Sequence, residues 1–334
     1  MKWNVITGAT GLLGSHIAEQ LVLHGEKVRA VVRPSGDTTF LKTLGAELVV
    51  GDFNDLDFLQ RALGGADVVY HCAARVGEWG PWRQFQEQII DVAARVFDAC
   101  RIAGVGRLLH VSSISVYGHP PDRADLFTED EPIGQNLWSW DNYCRAKIAV
   151  EELCRAYPRD WTMVRPSWIF GPRDRNSLPR FFKALAAGRV AITGRGDNLL
   201  NVIYAGDVAE GAILAANQPD AVGKAYNLSS DGEATQQQFL NMLTDALGQP
   251  RISRHVSFRV AFAGAYIGEV IARIIRLHRS PHITRYAVAL IGRSTRFSSE
   301  RAKTELGWRT HTSIAEGLSR TLEEYYGREK AKAV

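Results

Sequence analysis

The chain has 334 residues, 46% hydrophobic and 23% charged, with a formal net charge of +4. This is ordinary for a soluble globular protein large enough for a core and a second lobe, and the charges form no clustered basic run, so a nucleic-acid partner is not expected. Met1 leads directly into an apolar segment, no apolar run reaches membrane-span length, and Cys72, Cys100, Cys144 and Cys154 form no Cys-x-x-Cys pair. A cytoplasmic protein with reduced, buried thiols is expected.

In chain order, strand-like runs are predicted at Trp3 to Thr7, Lys27 to Val32, Glu47 to Val50, Asp67 to His71 and Arg107 to Ser112. They alternate with helical patterns at Leu12 to His24, Asp55 to Leu63 and Arg83 to Ala103, and a further helix around Tyr143 precedes strands near Thr162 to Arg165 and Ala225 to Leu228. That rhythm predicts an α/β fold with a doubly wound, Rossmann-type parallel sheet covered on both faces. From Gly171 the rhythm breaks, and helices at Ser177 to Ala187, Thr235 to Leu247 and Phe258 to Leu277 predict a smaller, mainly helical substrate lobe. The expected division is a dinucleotide-binding domain over 1–170 with 200–230 returning to it, a lobe over 171–199 and 231–326, and a polar tail over 327–334. The Phe258 to Leu277 segment carries too many charges to span a bilayer; a lid over a lipophilic pocket is preferred to core packing or to interfacial membrane contact.

Two local patterns carry chemistry. The first strand runs into Gly8-Ala9-Thr10-Gly11-Leu12-Leu13-Gly14 and then a helix, the context in which glycines permit a tight turn, backbone approach to a pyrophosphate and close helix packing. Tyr143 and Lys147, four residues apart, share a helix face, so the ammonium can lower the phenol pKa and prepare it for proton transfer. His278 and His282 have helical ligand spacing, but Pro281 interrupts that helix, and no metal is expected.

With Gly51-Asp52, His71-Cys72-Ala73-Ala74, Val111 to Gly118, and Arg165 to Pro172 added in order, the chain resembles extended short-chain dehydrogenase/reductases along nearly its whole length. The branch is that of 3β-hydroxysteroid dehydrogenases and sugar-nucleotide epimerases and dehydratases. The resemblance implies Tyr143 as acid/base, Lys147 on the ribose hydroxyls and Ser113 on the substrate oxygen, with Ser112 as an alternative for that contact. It implies a cofactor site formed by Gly8, Thr10, Gly11, Leu12, Leu13, Gly14, Arg33, Asp52, Phe53, Ala73, Ala74, Tyr143, Lys147 and Pro166. Arg33 follows the second strand where NAD enzymes carry an acid, which favours NADP over NAD. One departure is Ile89, standing where the family commonly has a helix asparagine behind the active site; Ile cannot make that hydrogen bond.

Trp79, Trp82, Trp138, Trp140 and Trp168 are expected near the cleft, with Ser115 and Arg173 as further substrate contacts. The run Ala73 to Gly80 also resembles sterol-4α-carboxylate 3-dehydrogenases and 2-alkyl-3-ketoalkanoate reductases, which implies a hydroxyl or ketone β to a carboxylate, held by Arg173, Arg175 or Arg180. The expected function is nicotinamide-dependent interconversion of a secondary alcohol and a ketone on a lipophilic substrate, by a homodimer. A nucleotide-sugar epimerase or dehydratase, using Arg173, Arg175, Asn176 and Asn201 on a diphosphate, is the alternative, and a non-catalytic dinucleotide sensor a lesser one.

Overall fold

The computed structural model describes residues 2–230, 234–277 and 279–332. The N-terminal half runs β1 (Trp3–Thr7), α1 (Leu12–Leu23), β2 (Lys27–Val32), α2 (Thr39–Thr43), β3 (Glu47–Val50), α3 (Leu56–Leu63), β4 (Val68–His71), α4 (Trp82–Phe85), α5 (Asp91–Ile102), β5 (Arg107–Val111), α6 (Asn142–Arg155) and β6 (Trp161–Pro166). There follow β7 (Trp168–Phe170), α7 (Ser177–Ala186), β8 (Ile192–Thr193), β9 (Leu199–Leu200), β10 (Val202–Tyr204), α8 (Ala205–Asn217), β11 (Ala225–Leu228), β12 (Ala234–Thr235), α9 (Gln236–Ala246), β13 (His255–Val256), α10 (Phe258–Ile274), α11 (Arg285–Gly292), α12 (Glu300–Leu306) and α13 (Ile314–Lys332).

Seven strands pair in parallel in the order β11-β6-β5-β4-β1-β2-β3, the doubly wound sheet expected. Both faces are covered, which is why β4 is buried at every position and β1 at all but its first, rather than alternately. On one face Ile17, Ala18 and Leu21 of α1 meet Val208, Ala212 and Ala215 of α8; the small alanines let the two helices approach closely. On the other, Leu59 and Leu63 of α3, Val96 and Phe97 of α5 and Val150 of α6 close the second core. A third core, with Phe182, Phe239, Leu318 and Leu322, joins α7, α9 and α13.

Three boundaries differ from expectation. The helical pattern from Arg83 to Ala103 is broken by a π-turn at Gln86–Ile90 between α4 and α5, a wider turn that lets Phe85 and Ile89 both point into the core. Helix α10 stops at Ile274 rather than Leu277, because Arg276 adopts φ 53° and the Leu277 N–H turns back to the Ala272 carbonyl at 2.7 Å. The expected polar tail instead continues α13 to Lys332, a run of helix-forming Arg, Glu, Lys and Ala residues. Cys100, Cys144 and Cys154 are buried free thiols and Cys72 is half-buried.

Candidate active site

The first part of the site is a cradle at the exit of β1. Gly8 sits at φ +74°, and a side chain there would lie 2.6 Å from the Ala73 nitrogen beyond β4; one on Gly14 would strike the Gly8 carbonyl. Substitution would therefore wedge β1, β4 and α1 apart at the point where the sheet order reverses, the usual ligand position in such sheets. Gly11 is the N-cap of α1, with no side-chain cap and no acid in the first turn, so the first N–H groups and the positive helix end are open to an anion. A dinucleotide pyrophosphate fits that donor set.

The other expected cofactor residues surround the cradle. Thr10 packs toward the Gly36 turn after β2, Leu12 and Leu13 open α1, and Ala74 follows Ala73. Arg33, at the end of β2, is exposed and makes no ion pair among the described residues. The Asp52 carboxylate accepts from Asn54 N and Nδ2 at 2.9 and 3.0 Å, while Phe53 and Pro166 are buried beside it and at the end of β6, respectively.

Opposite the cradle, α6 presents Tyr143 and Lys147 from one face. Ser113 caps a short 3₁₀ turn at Ile114–Tyr117, where its hydroxyl accepts from Ser115 N at 3.2 Å and is close enough to the Tyr143 phenol to favour its ionised form. Lys147 donates to the Val111 carbonyl at 3.1 Å. Burial pushes the Tyr143 phenol up to about 12, against the opposing Ser113 hydroxyl, and pulls Lys147 down to about 8, against the opposing Glu151 charge. Lowering of the phenol by Lys147 was the expectation; in this structure burial, then Cys144 and Glu78, raise it, and Ser113 is the group that opposes them. A bound nicotinamide supplies the hydride, and in its oxidised form a positive charge.

The groups behind this trio are ones that residue spacing did not single out. Ser112, the alternative to Ser113, is buried and donates to Glu151 at 2.6 Å. Glu151 also accepts from Arg165, whose Nη1 donates to the Tyr117 hydroxyl at 2.7 Å, and that hydroxyl donates to Asn227 at 2.8 Å. Ile89, in place of the family asparagine, is part of the apolar core beside α5. On the same side lie His71, held by Thr7 at 2.8 Å, and His110 stacked on it; burial, then the Lys147 charge, lowers both. Both imidazoles are therefore neutral.

The substrate side is an aromatic wall. Trp79, Trp138 and Trp140, three of the tryptophans expected near the cleft, line a small pocket together with Glu78, Glu269, Arg273, Thr284, Arg285 and Tyr286. Tyr286 meets the Tyr143 ring edge-on, with centroids 6.3 Å apart, so the wall begins one ring from the candidate acid. The Arg273 guanidinium lies between Trp79 and Trp140, 4.1 and 4.5 Å from their ring centres. Of the nearby acids, Glu269 pairs with Arg285, and Glu78 accepts a hydrogen bond from Thr284 at 2.9 Å. Among the described residues Arg273 has no hydrogen bond or ion pair. The space between these side chains is about 20 Å³, room for about one water molecule, so the pocket is small as the side chains stand.

Six residues expected to contact a substrate do not line this wall. Arg173 pairs with Glu19, donates to Ser15 at 2.9 Å and covers Phe40, which commits it to joining α1 to the lobe rather than to a carboxylate. Arg175 pairs with Asp37 at 2.8 Å. Trp168 packs against Phe181 and Phe239 in the lobe core, and Trp82 is 41% exposed at the start of α4. Ser115 is buried beside Cys144. Asn201 binds the Thr295 carbonyl and the Phe297 N–H, a structural staple. His278 lies outside the described residues. His119, Asp141 and Cys144 bring a nitrogen, an oxygen and a sulfur within 4.8 Å of one another; His119 bonds Asp141 at 2.7 Å, and burial with the Asp141 charge keeps the thiol protonated.

The NAD dependent epimerase/dehydratase family matches residues 4–229. The chain is 30% identical to the 2-alkyl-3-oxoalkanoate reductase of Stenotrophomonas maltophilia, over 95% of this chain and 97% of the relative. It is 29% identical to the reductase of the same name from Shewanella oneidensis, over 94% and 84%. Against the mouse sterol-4-alpha-carboxylate 3-dehydrogenase, decarboxylating, identity is 28% over 98% and 92%. The crystal structure of gox2253 superposes with a TM-score of 0.81 at 26% identity, covering 98% of this chain and 99% of that one. The chain belongs to the NAD dependent epimerase/dehydratase family and is a nicotinamide-dependent short-chain dehydrogenase/reductase acting on a CH–OH group.

Proposed function

We propose that the protein interconverts a hydroxyl and a ketone β to a carboxylate on a lipophilic acid, with NADP as the preferred cofactor. The observation that carries this reading is the wall beside Tyr143: tryptophans to desolvate a hydrocarbon, and Arg273 as a cation with no ion pair of its own among the described residues. Arg273 takes the part first given to Arg173. In reduction, hydride adds to the carbonyl carbon while Tyr143 gives its proton to the oxygen and Ser113 donates a hydrogen bond to it; in oxidation both transfers reverse. Lys147 would hold the ribose hydroxyls of the bound nucleotide. Thr10, Phe53, Ala73 and Pro166 would line the nucleotide, and Arg33 would take the 2′-phosphate.

A 3-hydroxysteroid is the second lipophilic substrate class, without a carboxylate for Arg273. A nucleotide-sugar reading is less favoured because Arg173, Arg175 and Asn201 are occupied by protein partners. We take 1–170 with 200–230 as the dinucleotide unit and the remainder to 326 as the substrate lobe, in a cytoplasmic homodimer. The test is a near-ultraviolet nicotinamide assay with both cofactors on a long-chain 2-alkyl-3-keto acid, its methyl ester, a 3-hydroxysteroid and, by product chromatography, UDP-hexoses. The acid should be turned over best, and Arg273→Met should remove its advantage over the ester. UDP-hexose epimerisation without activity on any lipophilic ketone or alcohol would overturn the reading.

A further inference from the structure

Helix α10 has two different faces. Its inner face carries Ala265, Glu269 and Ala272, all buried, and Phe262 meets Trp138 edge-on at 5.1 Å. Its outer face carries Val260, Ala263, Gly264, Ile267, Ile271, Ile274 and Ile275, spaced at three, four and seven so that they form one stripe along about 25 Å of helix. Val260, Ile267, Ile271, Ile274 and Ile275 are each 52–74% exposed. Beyond the helix, Leu277 and Ile283 extend the patch at 43% and 48% exposed. Isolated exposed aliphatics are normal, but a continuous stripe of this kind marks a surface that is covered in use.

The charge around the stripe selects what covers it. Between residues 246 and 299 the chain has nine arginines and a single acid, Glu269, which is buried against Arg285. Arg259, Arg276 and Arg279 are exposed beside the stripe, and none has an ion-pair partner among the described residues. The left-handed turn at Arg276 ends the helix and keeps Arg276 and Leu277 at the surface. A second copy of this chain would face arginines with arginines across a two-fold axis, which is repulsive. An anionic lipid surface complements both features: acyl chains take the isoleucines and headgroups take the guanidinium groups. No described helix is long and apolar enough to cross a membrane.

We propose that the outer face of α10 docks the enzyme on an anionic bilayer surface, lying in the interface while its inner face roofs the substrate pocket. Because the inner face carries Glu269 and Arg273, contact with lipid and opening of the pocket involve the same rigid element. The proposal does not depend on which substrate the site takes.

The experiment is co-sedimentation of the full chain with vesicles of phosphatidylcholine alone and with about a third phosphatidylglycerol, across a salt series. Wild type is expected to bind the anionic vesicles, with binding falling as salt rises. The triple variant Ile267→Ser, Ile271→Ser, Ile274→Ser should lose binding by about tenfold or more at unchanged circular dichroism and melting temperature, since each altered side chain is exposed. Arg259→Gln, Arg276→Gln, Arg279→Gln should abolish the preference for anionic over neutral vesicles. Absence of binding to anionic vesicles, equal binding by wild type and the serine variant, or equal binding to both vesicle types would overturn the proposal. So would a wild-type dimer that the serine variant converts to monomer, because the stripe would then be covered by a second copy.

Discussion

Arg165 holds Glu151 through two parallel hydrogen bonds, Nε to Oε1 at 2.8 Å and Nη2 to Oε2 at 2.7 Å, with both side chains buried. The pair lies one turn beyond Lys147 on α6 and ties that helix to β6. Burial alone would raise the Glu151 carboxyl, but the Arg165 hydrogen bonds and charge outweigh it and the net shift is downward.

Removing one partner leaves the other charge buried and alone. Glu151→Ala is therefore expected to lower stability by about 3–5 kcal/mol, read by chemical denaturation. The sign with pH follows from the depressed pKa: the wild-type contribution is complete above the ordinary carboxylate range and is lost as pH falls through the lowered value. A loss of under about 1 kcal/mol would mean that water solvates Arg165 and that the pair does not hold α6 in place.

Tyr143→Phe keeps the ring against Tyr286 and removes only the transferable proton. Turnover should fall by about 10²–10⁴, while cofactor affinity, read by fluorescence titration, stays near wild type. Retained turnover would remove Tyr143 from the chemistry.

Lys147→Met should separate stability from activity. Burial holds Lys147 near 8 instead of the usual 10.5, so keeping it charged costs folding free energy below pH 8, a cost that fades as pH rises from 8 to 10.5. The cofactor-free variant should melt higher than wild type at pH 7, the gap closing above pH 8, while turnover is lost. A variant that melts lower at pH 7 would show that the Val111 hydrogen bond outweighs the burial cost.

Arg33→Asp should shift preference from NADP toward NAD, because a carboxylate repels a 2′-phosphate and accepts from a 2′-hydroxyl. The ratio of kcat/KM for the two cofactors reads this directly. Equal changes for both would place the 2′-position away from Arg33.

The fold was legible because its signals are local. A buried parallel strand is an apolar run and a phosphate-binding turn is glycines at fixed spacing, so β1, β2, β3 and β11 were located to the residue and the Gly8 to Gly14 turn stands at the switch point of the sheet. Tyr143 and Lys147 share a face by helix geometry alone, and Ser113 could be placed by its ordered distance from them in the family pattern. Where a pattern spans an irregularity, the same reasoning fails: Arg83 to Ala103 reads as one helix because the extra residue of a π-turn leaves little trace in apolar spacing.

What a charged or aromatic side chain does is a question of partners, and those come from distant parts of the chain. Arg173 and Arg273 look alike in sequence, yet Glu19 claims the first, while the second lies between two tryptophans with the nearby Glu269 already taken by Arg285. Trp168 and Trp138 both precede or follow elements near the cleft, but Phe239 draws one into the lobe core and Phe262 of α10 meets the other beside the pocket. Local sequence determined the sheet, the glycine turn and the pairing of Tyr143 with Lys147, because these depend on backbone period and contact between near neighbours. Tertiary packing decided burial, and with it the raised phenol, the lowered ammonium, the matched acids and the exposed face of α10, because desolvation depends on what covers a group rather than on what adjoins it in the chain.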